Sequence, residues 1–465
     1  MKKVLLTVLA GALVGTFVVP ALAADDAPTF TFNGEVRARY EYLNNYFDLT
    51  DNSDSSDPND DSYGFAPYRV MVGITANFTK NVSGHVDLQY VGMFGDEQPQ
   101  KDFGGPPGQV DTAYQFNTQG VQLYTGWMDM AKVGGTDLGF RLGRQEHTYG
   151  TELFMGDNDY YAGLSFDGLN GSWVHGHNDL NFFYYKTWED NGFVGGVPGT
   201  GGGAVDSDLF GATYDWHFND GWGTVGGYLL FGQDLGGNGV VFVDDSKLIT
   251  FGARWNREMM NGDKLNMFDW NIEIAGQSGD AGEPGVFSPS IDLAGYILEG
   301  WFAFNFNAGD THGRVHIGTL MTSGDDFNTT DKFEGFITYY GDFHAYNRFG
   351  DLDWVDTVQS NFGGAQAPES NITDFNIGYE HWFGTQHYVM AAYHIFNMTE
   401  SNGAPSDKLG DEIDLTYNFI YSKNLTFQTT LGQASPGEAA EAVNIFAPVS
   451  GDPVQRFTLQ AKLNW

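Results

Sequence analysis

Val454-Gln455-Arg456-Phe457-Thr458-Leu459-Gln460-Ala461-Lys462-Leu463-Asn464-Trp465 is the stretch whose reading decides the fold of this 465-residue chain. Phe457, Leu459, Ala461, Leu463 and Trp465 fall on one side of an extended backbone. Arg456, Thr458, Gln460, Lys462 and Asn464 fall on the other. Successive side chains of a strand point to opposite faces, so parity alone sorts apolar from polar groups here. A strand set between lipid and a wet lumen needs that sorting. The same pattern recurs near the start, where Phe32, Val36, Ala38, Tyr40 and Tyr42 alternate with Asn33, Glu35, Arg37, Arg39 and Glu41. It recurs again where Ile413, Leu415, Tyr417 and Phe419 alternate with Glu412, Asp414, Thr416 and Asn418.

Working outward from these segments gives 18 candidate strands. They lie near 30–43, 67–79, 82–93, 119–130, 136–145, 163–174, 179–188, 207–218, 221–232, 246–256, 265–277, 291–307, 311–320, 372–383, 386–396, 410–421, 424–432 and 454–465. The connections alternate in length. Long ones fall at 44–66, 94–118, 146–162, 189–206, 233–245, 278–290, 321–371, 397–409 and 433–453. The links between them are short, as at Lys80-Asn81, Asn219-Asp220, Gly384-Thr385 and Ser422-Lys423. Transmembrane barrels show this asymmetry, with short periplasmic turns, long outer loops and an even strand number. The fold class expected is therefore all-β, a transmembrane antiparallel up-and-down barrel of about 18 strands. A soluble glycine-rich all-β protein is the bland alternative, and it gives no reason for the loops to alternate in length.

Composition agrees. Glycine accounts for 63 residues and aromatics for 16%, against only 22 Lys and Arg. With no cysteine, no disulfide staples the fold. At the other end of the chain, Lys2 and Lys3 precede an apolar run from Val4 to Val19, then Pro20 and the Ala21-Leu22-Ala23 box. That order reads as a cleaved secretory signal peptide over 1–23, leaving 24–465 as the barrel. Cleavage would take the formal charge from −38 to −40. The expected location is the outer membrane of a Gram-negative bacterium.

Several motifs carry a resemblance. Phe140-Arg141-Leu142-Gly143-Arg144-Gln145 is followed by Tyr149-Gly150, Leu153 and Ser165-Phe166-Asp167-Gly168-Leu169. Ser323-Gly324-Asp325-Asp326 with Asp331 leads to His344-Ala345-Tyr346 and Gly350-Asp351-Leu352. Gly410-Asp411-Glu412-Ile413-Asp414-Leu415 precedes Tyr421-Ser422-Lys423-Asn424-Leu425. In this order, the three groups resemble the alginate export family of porins across most of the chain. The resemblance implies a monomeric 18-stranded barrel and, from the family's founding member, export of an acidic polysaccharide through an arginine-rich lumen. This chain departs from that pattern in having ten arginines within a strongly acidic total.

Parity places charge more finely than the total does. Arg37, Arg39, Arg69, Arg141, Arg254, Arg314, Arg456 and Lys462 are expected to face inward. Glu35, Glu41, Asp87, Asp215, Asp269, Glu273, Glu299, Asp374, Glu380, Glu412 and Asp414 are expected on the same face. The lumen is thus mixed in charge, and most of the acidity belongs to the loops. The first long loop carries Asp48, Asp51, Asp54, Asp57, Asp60 and Asp61 without a single Lys or Arg. Barrel closure should bring Arg39, Arg69 and Arg456 together as a basic patch able to hold carboxylates bidentately. The competing reading is that these arginines merely neutralise Glu35 and Glu41. The long segment 321–371, with Phe343, Tyr346, Phe349 and Trp354, is expected either to fold into the lumen or to cap the mouth.

Other chemistries lack their motifs. Gly163-Leu164-Ser165-Phe166-Asp167 breaks a nucleophile elbow at its last position. No His-Glu-x-x-His occurs. His175 and His177 fall in a two-strand turn and read as surface residues. The net charge opposes nucleic-acid binding. No cofactor is expected. Calcium in the acidic loops is the one alternative, although Asp51-Asn52-Ser53-Asp54-Ser55-Ser56-Asp57 lacks the glycine and glutamate of an EF-hand loop. The partners expected are outer-membrane lipid and small hydrophilic solutes. The function expected is a passive channel with an acidic mouth and a modest cation preference. The alternatives are a dedicated exporter or importer of an acidic sugar or polysaccharide, and a barrel within a larger outer-membrane complex.

Overall fold

The computed structural model describes residues 27–45, 62–95, 120–188, 207–219, 221–233, 246–261, 264–281, 291–338, 340–342, 350–352, 354, 370–443 and 452–465. The signal-peptide segment and the acidic stretch 46–61 lie outside the described residues.

The segments that alternate by parity form strands. In chain order they are β1 (Thr29–Asn44), β2 (Pro67–Thr79), β3 (Val82–Met93), β4 (Gln122–Met130), β5 (Leu138–Gln145) and β6 (Phe166–His175). Then come β7 (Asn178–Trp188), β8 (Ser207–His217), β9 (Thr224–Gln233), β10 (Lys247–Arg257), β11 (Phe268–Asp280) and β12 (Asp292–Ala308). The last are β13 (Thr311–Thr322), β14 (Ile372–Phe383), β15 (His387–Met398), β16 (Lys408–Ile420), β17 (Leu425–Pro436) and β18 (Val454–Asn464). Each pairs antiparallel with its sequence neighbours, and β18 pairs back onto β1. The result is a closed 18-stranded barrel with no exposed edge, which satisfies every ladder without water. Among the described residues no helix is long and apolar enough to cross a membrane.

The closing seam is the strand that opened the sequence reading. Val36 faces Leu463, Arg37 faces Lys462, Ala38 faces Ala461 and Arg39 faces Gln460. Trp465 completes it by exchanging backbone hydrogen bonds with Gly34 at 3.2 and 3.1 Å. A Cβ on Gly34 would sit 2.1 Å from the Trp465 indole, so the ring's position requires glycine there.

Parity holds around the ring. Val36, Tyr40, Val72, Ile74, Leu229, Phe251, Ile274, Phe302, Ile377, Leu415 and Leu459 are exposed on the outer surface. Glu35, Arg37, Arg39, Glu41, Arg69, Asp87, Glu273, Glu299, Asp374, Glu412, Asp414 and Arg456 are buried on the inner one. The outer set forms the apolar band that lipid requires.

Two features differ from the sequence reading. Strand β17 runs to Pro436 and β11 to Asp280, several residues past the expected ends. Ser278-Gly279-Asp280 and Gln433-Ala434-Ser435-Pro436 offer no large apolar side chain to the outer face, so the apolar alternation that marked the strands stops before the backbone pairing does. Second, residues 146–162 do not project outward as a simple outer loop. They turn into the lumen, where Leu153, Phe154 and Met155 are buried.

Candidate functional site: a lumen crossed by an inward loop

The inward loop follows β5. His147 Nδ1 lies 2.7 Å from the Tyr185 hydroxyl, and burial pushes the imidazole down to about 4, so it is neutral at ordinary pH. The Tyr149 hydroxyl donates to Asp215 at 3.1 Å, and Arg254 lies over the Tyr149 ring at 4.6 Å. The Thr151 hydroxyl donates to Glu299 at 2.7 Å and to Glu273 at 3.3 Å. These contacts tie the loop to β7, β8, β10, β11 and β12.

Leu153, Phe154 and Met155 then enter an apolar cluster with Phe166, Tyr185, Leu230, Ile297, Leu320 and Phe336. Most of those partners are inward-facing residues of the upper wall. Phe336 comes from the long segment after β13. A short parallel bridge joins Met155 to Tyr340 of that segment, with Gly156 N–H donating to the Tyr340 carbonyl at 2.8 Å.

The loop ends on the opposite wall, at the seam. Arg37 donates to the Tyr161 carbonyl at 3.0 Å, and the Tyr161 hydroxyl donates to Glu41 at 3.0 Å. The Tyr160 ring lies under Arg39 at 3.7 Å and Arg456 at 5.1 Å. Asp159 reaches Arg69 at 3.5 Å, Lys462 at 3.6 Å and Arg37 at 3.8 Å. Burial alone would raise the Asp159 carboxyl, but Arg37, Lys462 and Arg69 outweigh it and hold the group below the usual range. Its neighbour Asp157 goes the other way. Burial, then Asp159, Glu146 and Asp342, push it up to about 6. Glu152, Asp157 and Asp342 place carboxylate oxygens within 4.8 Å of one another, where the two inward segments meet.

The residues singled out by parity separate into groups. Glu35, Arg37, Arg39, Glu41, Arg69 and Arg456 gather at the seam. Arg456 pairs with Glu41 at 2.6 Å and Arg39 with Glu41 at 3.3 Å. Arg39 and Arg456 thus meet on Glu41, whereas Arg69 joins Arg37 and Lys462 around Glu35 and Asp159, so the foreseen trio is divided between two adjoining groups that Glu35 and Glu41 partly neutralise. Arg141 stands apart, paired with Asp129 at 3.2 Å and lying over Trp127 at 4.0 Å. Arg254 pairs with Asp215 at 3.0 Å, and Arg314 with Asp269 at 2.7 Å and with Glu380. Asp414 lies 3.8 Å from His394, which also bonds Asp374 at 3.0 Å.

The described part of 321–371 lies along the inner wall. Asp351 and Leu352 donate backbone N–H groups to Glu412 at 2.8 and 3.0 Å, and the Trp354 indole donates at 2.9 Å. Gly350 has φ +77°, and a Cβ there would meet Glu412 at 2.3 Å, so glycine allows this seat. The Asp351 carbonyl accepts from Arg456 at 2.6 Å. Phe343, Tyr346 and Phe349 lie outside the described residues.

Asp159, Tyr160 and Tyr161 were not among the residues chosen by parity, since a loop has none. A signal for an inward plug does exist. Tyr228-Leu229-Leu230-Phe231 is apolar on both faces, so the inner wall there needs something apolar against it.

Among the described residues, a cavity of about 820 Å³ lies toward the periplasmic turns, lined by Arg254, Asp269, Glu299, Arg314, Glu380 and Tyr388 among others. A second, of about 320 Å³, lies at the seam beside Arg37, Arg39, Asp159 and Lys462. Asp351 and Gln428 line both.

A closed barrel, apolar outside and charged inside, with its lumen narrowed by an inward loop, is an outer-membrane channel for small solutes. The chain belongs to the alginate export family, whose model matches residues 29–445. No curated protein matches it. Among solved structures it is similar to Pseudomonas aeruginosa OccK9 (OpdG), at 11% identity and a TM-score of 0.57, over 93% of this chain and 98% of that one. It is similar to P. aeruginosa OccK2 (OpdF) in complex with glucuronate, at 11% identity and a TM-score of 0.54, over 94% and 97%. The P. aeruginosa outer membrane protein opdK matches at 9% identity and a TM-score of 0.54, over 94% and 99%. At such identities these structures speak for the fold alone.

Proposed function

We propose that the barrel passes small hydrophilic solutes passively, with wall charge and the inward loop setting selectivity. The observation that carries this reading is the path of 146–162. It spans the lumen from Glu299 to Arg37 and borders cavities of about 820 and 320 Å³. Fixed charge beside a narrow route sets which ions and solutes concentrate there. The acidic stretch from Asp48 to Asp61 lies outside the described residues, and its sequence supports a modest cation preference. Planar-bilayer recordings under asymmetric KCl test it. A reversal potential showing strong anion selectivity would remove the cation preference, and a silent bilayer would remove passive passage.

The second reading is a route for carboxylated sugars, and the seam favours it. Arg37, Arg39, Arg69, Arg456 and Lys462 stand there against Glu35, Glu41 and Asp159. OccK2 was crystallised with glucuronate, an acidic sugar. If Arg39, Arg69 and Arg456 were all replaced by alanine and acidic-sugar uptake into liposomes stayed the same, this reading would be abandoned.

We further infer a monomer in the outer membrane of a Gram-negative bacterium, working without a cofactor and without a catalytic role. One chain closes the ring, so no second copy is needed to complete the wall. Native mass spectrometry in detergent tests this, and a partner barrel or accessory protein would show as added mass.

A further inference from the structure

Among the described residues, the cation row at the seam pairs with two carboxylates, Glu35 of the barrel wall and Asp159 of the loop. Arg69, Arg37 and Lys462 are direct cross-strand partners on β2, β1 and β18. Strands lie about 4.8 Å apart, so three like charges stand side by side. Like charges directly opposite destabilise a sheet unless something answers them. Glu35, on β1, lies 3.4 Å from Arg37, 3.9 Å from Arg69 and 3.1 Å from Lys462. Asp159, from the loop, lies 3.8, 3.5 and 3.6 Å from the same three groups.

The two carboxylates differ in freedom. The Glu35 side chain is 5% exposed and fixed to a strand. The Asp159 side chain is 37% exposed and borders the 320 Å³ cavity with Arg37 and Lys462. All three Asp159 contacts exceed the roughly 2.7–2.9 Å of a good charge-assisted hydrogen bond. Coulombic attraction therefore holds it without close directional bonding. A carboxylate free to approach more closely has an advantage at the same place.

We propose that Asp159 is a built-in competitor: it fills the position a solute carboxylate takes on Arg37, Arg69 and Lys462, and an entering carboxylated solute displaces it. This inference rests on the reading that the seam accepts carboxylates. The exchange puts one anion in place of another, so the cation row keeps its counter-charge throughout. It also pulls on Tyr160 and Tyr161, the next two residues, which hold the loop to Arg39, Arg456 and Glu41. A neutral sugar has no charge to exchange and leaves the loop in place. The device therefore selects by charge.

Single-channel recordings with glucuronate and glucose, on the full-length barrel, test the proposal with D159N and D159E. A site filled by its own side chain about nine-tenths of the time binds about tenfold more weakly than when free. Glucuronate should therefore block D159N at about tenfold lower concentration than the wild type. D159E should behave like the wild type, and glucose should distinguish none of them. Heat-modifiable mobility on gels verifies that each variant forms a barrel, and D159A repeats the comparison if D159N does not. If glucuronate blocks the wild type and D159N at equal concentration, the seam reading stands and the competitor falls. If it blocks neither, both fall.

Discussion

The two ends of loop 146–162 are held by different physics. On the far wall Leu153, Phe154 and Met155 sit among Tyr185, Leu230, Ile297 and Phe336. At the seam Asp159, Tyr160 and Tyr161 sit among Arg37, Arg39, Arg69 and Arg456. Apolar burial is non-directional and is not weakened by the ionic screening that acts on charges. Ion pairs beside a water-filled cavity are screened and can be exchanged for other ions. The difference assigns the roles: the apolar end anchors the loop, and the charged end is the part that answers to solutes. A channel that must stay narrowed yet responsive benefits from keeping these functions apart.

The comparison is broken most severely by removing the anchor. Leu153→Asp puts a carboxylate into the apolar cluster, where an unpaired buried charge costs several kcal/mol. The loop should leave the lumen and single-channel conductance should rise severalfold. An unchanged conductance would show that the seam alone holds the loop. At the other end, Glu41→Gln takes the shared counter-charge from Arg39 and Arg456. Breaking a buried pair on one side costs about 3–5 kcal/mol, so the thermal midpoint of the barrel should drop clearly. A midpoint equal to wild type would mean that Tyr160 and the Asp351 carbonyl suffice for Arg456.

Smaller changes sharpen the contrast. Thr151→Val removes the hydroxyl that donates to Glu299 and Glu273, at about 1–3 kcal/mol for acceptors left without it. Hydrogen exchange at 148–156 should quicken while the strands stay protected. Equal exchange there would mean that the hydroxyl contributes nothing to seating the loop. The smallest effect is pH. The folded loop holds the Asp157 proton up to about 6, against an ordinary value of 3.8. The folded state thus binds more protons in that window, and stability falls with rising pH wherever that is so. Seating by Asp157 is complete below about pH 4 and lost as pH rises through about 6. Loop protection factors, taken against the intrinsic exchange rate at each pH, should be higher at pH 4.5 than at pH 7.5, and Asp157→Asn should flatten the difference. A variant that keeps the full pH dependence would shift the cause to another group.

Much of the fold was legible in the sequence because a barrel wall is a parity problem. Phe457 and Leu459 must face lipid, and the strand period then sends Arg456 and Gln460 inward without further information. The same rule placed Arg37, Arg254 and Arg314 in the lumen. It also foresaw the seam, since closure must set the first strand against the last. Parity could not say which inward charges meet across strands. Arg314 finds Asp269 and Glu380, while Arg141 is left to Asp129 and Trp127. Those pairings depend on register, which no single strand contains.

The alternation from Val454 to Trp465, repeated along the chain, determined by itself that this protein is a membrane-spanning barrel with a charged interior. Lipid on one side and water on the other leave a strand no other arrangement. Only the tertiary structure decided that 146–162 turns inward and that Asp159 rests on Arg37, Arg69 and Lys462. A loop has no period to read. Its course is set by what it meets: an apolar patch on one wall and three cations, from three strands, on the other.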